Sequence, residues 1–302
     1  MSTLLTGATG FIGSRLLRLG DDFKVVIRNN ELLPLRSPFI INQLDSTTSW
    51  DKAFIGVTKV IHLAGLAHSN AFSNIDYQRI NVDGTLCLAK AAAEAGVSRF
   101  VFVSSIGVNG TYTKGISFSE NTPPVPHNDY AKSKYDAENG LKKIAEDSGM
   151  ELVIVRPTLV YGANAPGNFG SLTKLVNKSP ILPFGLTNNR RDFISVHNLA
   201  DLLITCANHP NAAGHTFLAS DGVTVSIKEF TNAIAKGLGT KVVQLPVPVC
   251  LMRLVGRILG KSQMVEQLVG DLQVDSSNLK KVLDWTPPHT MEESMALLNK
   301  NN

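Results

Sequence analysis

Leu4-Leu-Thr-Gly-Ala-Thr-Gly-Phe-Ile-Gly13 reads as a short apolar strand running straight into a turn in which Gly7, Gly10 and Gly13 fall three apart. A backbone that turns sharply and approaches a pyrophosphate leaves no room for side chains. A helix opening just after it presents free N–H groups and partial positive charge to the phosphates. Working outward, residues 23–27, 59–63, 100–103 and 152–155 are short, β-branched, almost continuously apolar runs, which suit parallel strands covered on both faces. Stretches of helical composition lie between them, notably 81–95 and 130–147. This alternation predicts a Rossmann-type, doubly wound α/β sheet. After Arg156-Pro157 the texture shifts to Gly, Pro and Asn, with a helix expected near 171–177, a strand and helix over 192–206, and helices near 227–238, 249–259 and 291–298. The expected division is a dinucleotide-binding domain over 1–165, rejoined by 192–207, and a smaller, partly interleaved α/β substrate-binding domain over 166–302.

Composition narrows the function classes. With 302 residues, 43% of them apolar, the chain can bury a sizeable core. A net charge of +4 comes from 29 basic and 25 acidic residues without a long basic block, which argues against nucleic acid and suits an anionic small molecule. Cys87, Cys206 and Cys250 are odd in number, far apart and free of any C-x-x-C pair. That pattern predicts reduced thiols in a cytoplasmic protein, with neither a disulfide framework nor a metal site. Leu4-Leu5 pass directly into glycines, so no signal peptide is expected. The apolar stretch 242–259 is interrupted by Pro246, Pro248, Arg253 and Arg257, too broken to span a bilayer, so no membrane insertion is expected, and it reads as a core-packing helix in preference to a membrane-surface one.

The second strand ends at Arg28, where an NAD site usually carries an acidic residue bonded to the ribose hydroxyls. A guanidinium grips a 2′-phosphate that a carboxylate would repel, and Asn29 and Asn30 supply no substitute acid. NADP(H) is therefore expected over NAD(H). Asp45, after the presumed third strand, is a candidate contact to the adenine. Tyr130 and Lys134 are i and i+4, so on a helix both project from one face. A neighbouring ammonium and an oxidised nicotinamide would each favour the phenolate and lower the tyrosine pKa from ~10. Lys134 can also hold the nicotinamide ribose, and Ser105, at a strand end, can donate to a substrate oxygen.

Gly7-Ala-Thr-Gly-Phe-Ile-Gly13, His62-Leu-Ala-Gly65, Asn81, Ser104-Ser105, Tyr130-x-x-x-Lys134, Arg156-Pro157, Tyr161-Gly162 and Arg191-Asp-Phe-Ile194 together cover nearly the whole length. The chain resembles an extended short-chain dehydrogenase/reductase of the nucleotide-sugar epimerase, dehydratase and reductase group. The resemblance implies that Phe11, Ile12, Leu63, Ala64, Gly65 and Pro157 lie along the cofactor and that Asn81 steadies the sheet beside it. It also implies that Arg191 binds the sugar-nucleotide phosphates, that Phe184 packs near the base, and that 275–285 closes the chain as in these enzymes; a homodimer is expected. Three departures are informative. Ser105 is followed by Ile106-Gly107 where 4,6-dehydratases carry an acidic pair, which argues against dehydration, and no cysteine follows it as in GDP-fucose-forming enzymes. Ser195-Val-His197 replaces the family's His-Val-Asp, and His197 reads as an ordinary strand residue. Arg253 and Arg257 are candidates for a second phosphate-binding arginine.

The expected activity is redox chemistry at C4 of a UDP-sugar. Arg28 tilts the choice toward an NADPH-dependent 4-keto reductase of surface-polysaccharide synthesis, with a UDP-hexose 4-epimerase holding NAD as the alternative. A non-catalytic NADP(H)-binding regulator is the reading from another class; such proteins often lose the tyrosine or lysine, and both are present here.

Overall fold

The protein is described by a computed structural model that covers residues 2–20, 22–29, 38–67 and 71–299; Asn30 lies outside them. Seven strands, β1 (Ser2–Thr6), β2 (Phe23–Arg28), β3 (Phe39–Ile41), β4 (Val57–His62), β5 (Arg99–Val103), β6 (Glu151–Pro157) and β10 (Thr216–Ala219), form one parallel sheet in the order β10-β6-β5-β4-β1-β2-β3. This is the Rossmann-type doubly wound order extended by a strand. The chain reverses direction across the sheet between β1 and β4, which opens a crevice at their carboxyl ends. Leu4 and Leu5 of β1 point to opposite faces, each fully buried. One face packs on Val196–Asn208 through Leu199, Leu202 and Leu203, and the other packs on Thr85–Glu94 and Asp129–Ser148 through Leu88, Ala137 and Leu141.

The smaller strands sit apart. β7 (Leu159–Tyr161), β9 (Arg191–Ser195) and β11 (Thr224–Val225) make a three-stranded sheet, and β8 (Ile181–Leu182) pairs with β12 (Val243–Gln244). Around them Gly167–Lys178, Ile227–Leu238 and Met291–Ala296 close a third core on Phe169, Phe193 and Phe230, whose last two rings stack 3.8 Å apart.

Three expectations are corrected. The helix expected over 81–95 starts earlier, because Ser73 and Asp76 form a reciprocal cap; Asn74–Tyr77 runs through a π-helical stretch, Gln78–Gly84, into Thr85–Glu94. His197 is helical, because the Ser195 side chain accepts from the Asn198 N–H and starts Val196–Asn208 one residue before it. The helix expected in the core near 249–259, observed as Val249–Ile258, buries only Gly256 fully. It packs on Ser262–Val269, with Val265 seated over Gly256, and touches the third core through Met252, while Leu251, Leu254, Val255 and Ile258 face outward.

Candidate active site

The glycine loop is a cradle that side chains would fill. Gly7 adopts φ +72°, and a Cβ there would lie 2.7 Å from the Ala64 nitrogen. At Gly13 a Cβ would lie 2.2 Å from the Gly7 carbonyl oxygen, so the helix Phe11–Leu16 can approach the loop only with glycine at this position. The Gly10 N–H closes the turn onto the Gly7 carbonyl at 3.1 Å. Beside it, the Thr6 hydroxyl lies 2.7 Å from His62 Nδ1 and accepts from the Ala64 N–H, while His62 Nε2 lies 2.9 Å from the Thr85 hydroxyl. Burial, with Lys134 adding to it, pushes His62 down to about 3, so it is a neutral brace. Asn81 sits in the π-helical stretch, a feature common at functional sites. It bridges both polar groups of the Leu66 backbone and donates to the Ser133 hydroxyl, tying the segment after Gly65 to the Asp129–Ser148 helix.

That helix starts where Asn128 accepts from the Ala131 N–H at 2.8 Å. Tyr130, half-buried, hydrogen-bonds Ser105, which stands at the end of β5 and caps the turn Ile106–Val108 through the Gly107 N–H. Lys134 donates to the Val103 carbonyl at 3.0 Å and lies 4.8 Å over the Phe102 ring. Burial lowers its pKa to about 8, against the pull of Glu138. Burial works against the depression expected of the tyrosine. Burial pushes Tyr130 up to about 12, with the Ser105 hydrogen bond opposing, while the ammonium is directed to the Val103 carbonyl.

Sequence reasoning passed over Glu138. It continues the i, i+4 stripe of Tyr130 and Lys134 by one more turn, which was the available signal. It is fully buried, accepts from Ser104 at 2.5 Å, and receives Arg156 through Nε at 2.9 Å and Nη2 at 2.5 Å. Arg156 also donates to Asn109 at 3.0 Å. One buried carboxylate thus locks the Tyr130–Lys134 helix to the carboxyl ends of β5 and β6.

A cavity of about 590 Å³ opens over these groups. Ile12, Leu63, Gly65, Ser105, Tyr130, Lys134, Pro157 and Arg191 line it, with Asn168, Leu172, Met264 and Gln267 closing the far wall. The far-wall residues come from distant helices whose contact no local pattern announces. Arg191 is buried, donates to the Gly270 carbonyl at 2.9 Å, and is held down near 10 by burial although Asp271 and Asp192 oppose this. Arg28 lies exposed at the carboxyl end of β2. Asp45 is buried in its own turn and accepts from the Thr47 N–H and hydroxyl. Phe184 is not brought to the cavity; it is buried in the third core. Arg253 and Arg257 also lie off the wall, the former paired with Glu266. At the closing segment, the Trp285 indole N–H donates to Asp201 at 2.6 Å. Among the described residues no group of three or more His, Cys, Asp or Glu could hold a metal ion, and no described helix is long and apolar enough to cross a membrane.

Comparison with known proteins agrees with this architecture. Residues 3–219 match the NAD dependent epimerase/dehydratase family. A UDP-glucose 4-epimerase of Vibrio cholerae is 41% identical, over 100% of this chain and 97% of that protein. An N-acetyl-alpha-D-glucosaminyl-diphospho-ditrans,octacis-undecaprenol 4-epimerase of Escherichia coli O157:H7 is 25% identical, over 97% and 93%. The crystal structure of UDP-glucose 4-epimerase from Thermotoga maritima with UDP-glucose superposes with a TM-score of 0.77 at 20% identity, covering 99% of this chain and 98% of that one, a likeness of fold. With the glycine cradle, the buried Tyr130–Lys134 helix and a family match over most of its length, this chain belongs to the NAD dependent epimerase/dehydratase family.

Proposed function

We propose that the protein is an NAD(P)-dependent oxidoreductase acting at C4 of a UDP-sugar and working as a 4-epimerase. The observation that carries this reading is the convergence of Ser105, Tyr130, Lys134 and Arg191 on one cavity beside the glycine cradle. The full-length 41% likeness to a UDP-glucose 4-epimerase supports epimerisation over simple reduction. In this reading residues 1–165, with 192–207, carry the cofactor and 166–302 carry the sugar nucleotide.

The cradle fits a dinucleotide: Gly7, Gly10 and Gly13 would receive the pyrophosphate, Leu63 to Gly65 and Pro157 would line it with Asn81 as their brace, and Lys134 would hold the nicotinamide ribose. When bound, its nicotinamide supplies the hydride acceptor and donor. The chain's own work is proton handling and orientation. Ser105 Oγ and the Tyr130 hydroxyl, already bonded to each other, together grip the C4 oxygen, and Tyr130 takes or returns its proton. With burial pushing Tyr130 up to about 12, the phenol is protonated at neutral pH and able to donate toward a ketone. Lys134, charged below about 8, stabilises negative charge that develops on the phenol once the site is loaded. Arg191 offers paired N–H groups to the diphosphate.

One observation favours a second reading. Arg28 at the end of β2 suits a 2′-phosphate, and NADPH would fit a 4-keto reductase. Mass and absorbance of the cofactor released on denaturation decide between them, together with assays on UDP-hexoses. Retained NAD and interconversion of two C4 epimers support the epimerase. An empty site that consumes NADPH only with a 4-keto sugar nucleotide overturns it.

A further inference from the structure

Helix Val249–Ile258 has its apolar stripe turned the wrong way for a soluble surface. Leu251, Leu254, Val255 and Ile258, spaced i, i+3, i+4 and i+7, are exposed, Ile258 to 73%. A surface helix ordinarily turns such a stripe inward. Here the inward side is small: Gly256 against Val265, and Met252 against the third core. Val243 and Leu245, just before this helix, are exposed as well. Charge along the same segment has one sign. Between Lys241 and Gln263 the charged residues are Lys241, Arg253, Arg257 and Lys261, and the first acidic residue, Glu266, is occupied by Arg253.

We propose that the helical pair Val249–Ile258 and Ser262–Val269 seats the protein on an anionic phospholipid surface, with the aliphatic stripe among the acyl chains and Arg257 and Lys261 at the headgroups. An aliphatic face bordered by Arg and Lys is what a monotopic helix presents to such a bilayer. A second copy is a poorer occupant, since two-fold pairing sets like charges against each other. The stripe also lacks the Trp and Tyr that anchor most protein interfaces. The seat adjoins the site: Met264, on the second helix of the pair, is exposed to 55% and lines the cavity. Docking would therefore hold the cavity rim at the membrane surface.

The test is flotation of the full chain with vesicles of phosphatidylcholine alone and of phosphatidylcholine containing phosphatidylglycerol. The protein should float with the anionic vesicles, and less so as salt rises. Leu254→Asp with Ile258→Asp should reduce that binding by about tenfold or more, and Arg257→Glu with Lys261→Glu should abolish the preference for phosphatidylglycerol. These positions are exposed, so an unchanged melting temperature checks folding. Wild-type protein that stays in the soluble fraction, or aspartate variants that float as wild type does, would overturn the proposal. So would sedimentation showing that Leu254→Asp splits a dimer, which would give the face to a second copy. UDP binding by the same preparations keeps the arms apart: lost flotation with UDP binding intact counts against the membrane seat alone.

Discussion

Replacing Lys134 by Met should make the protein more stable while removing its turnover. The ammonium is 5% exposed, and burial takes its pKa from 10.5 to about 8. At about 1.4 kcal/mol per pH unit, holding the charged form inside the fold costs on the order of 3 kcal/mol. The sign follows from the direction of the shift. Below pH 8 the lysine is charged in both folded and unfolded chains and the cost is carried in full; it fades as pH rises from 8 toward 10.5, where the folded protein holds the neutral amine. Met fills a similar volume without charge, but forfeits the hydrogen bond to the Val103 carbonyl, worth roughly 1 kcal/mol. The net gain at pH 7 is then about 2 kcal/mol, or roughly 3 °C in melting temperature for a chain of this length. Thermal and urea melts of wild type and Lys134→Met at pH 7 and pH 10 measure it. The gap should be widest at pH 7 and narrow at pH 10. A variant less stable than wild type at pH 7, or a gap that ignores pH, would refute the reasoning that this lysine is kept against the interest of the fold.

The remaining predictions concern the cradle, the cofactor and the substrate. Gly13→Ala should lose dinucleotide binding in titration and lower the melting temperature, because its Cβ would meet the Gly7 carbonyl at 2.2 Å and backbone must move. Arg28→Asp should weaken NADPH about tenfold or more and improve NADH, and an unchanged preference in paired titrations would sink the case for a 2′-phosphate contact. Arg191→Ala should raise the apparent KM for a UDP-sugar strongly and leave kcat within a few-fold, because the diphosphate contact is the same in ground and transition states. Spectrophotometric titration of the cofactor-free protein, with Tyr130→Phe as the reference, should show no ionisation of Tyr130 between pH 6 and pH 8, since burial pushes it up to about 12; a phenolate signal lost in the variant and rising through pH 7 would contradict that assignment.

How much of this was legible in the residues follows from where each signal lives. The glycine loop, the buried parallel strands and the helix Ile227–Leu238 were readable because period, β-branching and capping are local properties. Tyr130, Lys134 and Ser105 were legible as a set, because one helix face and one strand end must meet in a doubly wound sheet. The seventh strand of the large sheet, Thr216–Ala219, escapes such reading, since four residues among turns carry too little pattern. Phe184 went to the third core because its fate depended on Phe193 and Phe230, brought near only by tertiary packing. Val249–Ile258 misled for a plain reason: its amphipathic period is real, and period alone does not say which face meets water.

The most direct test of the central claim follows a deuterium at C4 of a UDP-hexose through the purified protein, with Tyr130→Phe in parallel. The account predicts a mixture of C4 epimers with the deuterium still at C4 and no net consumption of cofactor. The phenylalanine variant should fall below about a tenth of the wild-type rate while binding cofactor within a few-fold of it. Wash-out of the label to solvent, or a Tyr130→Phe variant that keeps most of the rate, would contradict hydride transfer at C4 governed by this tyrosine.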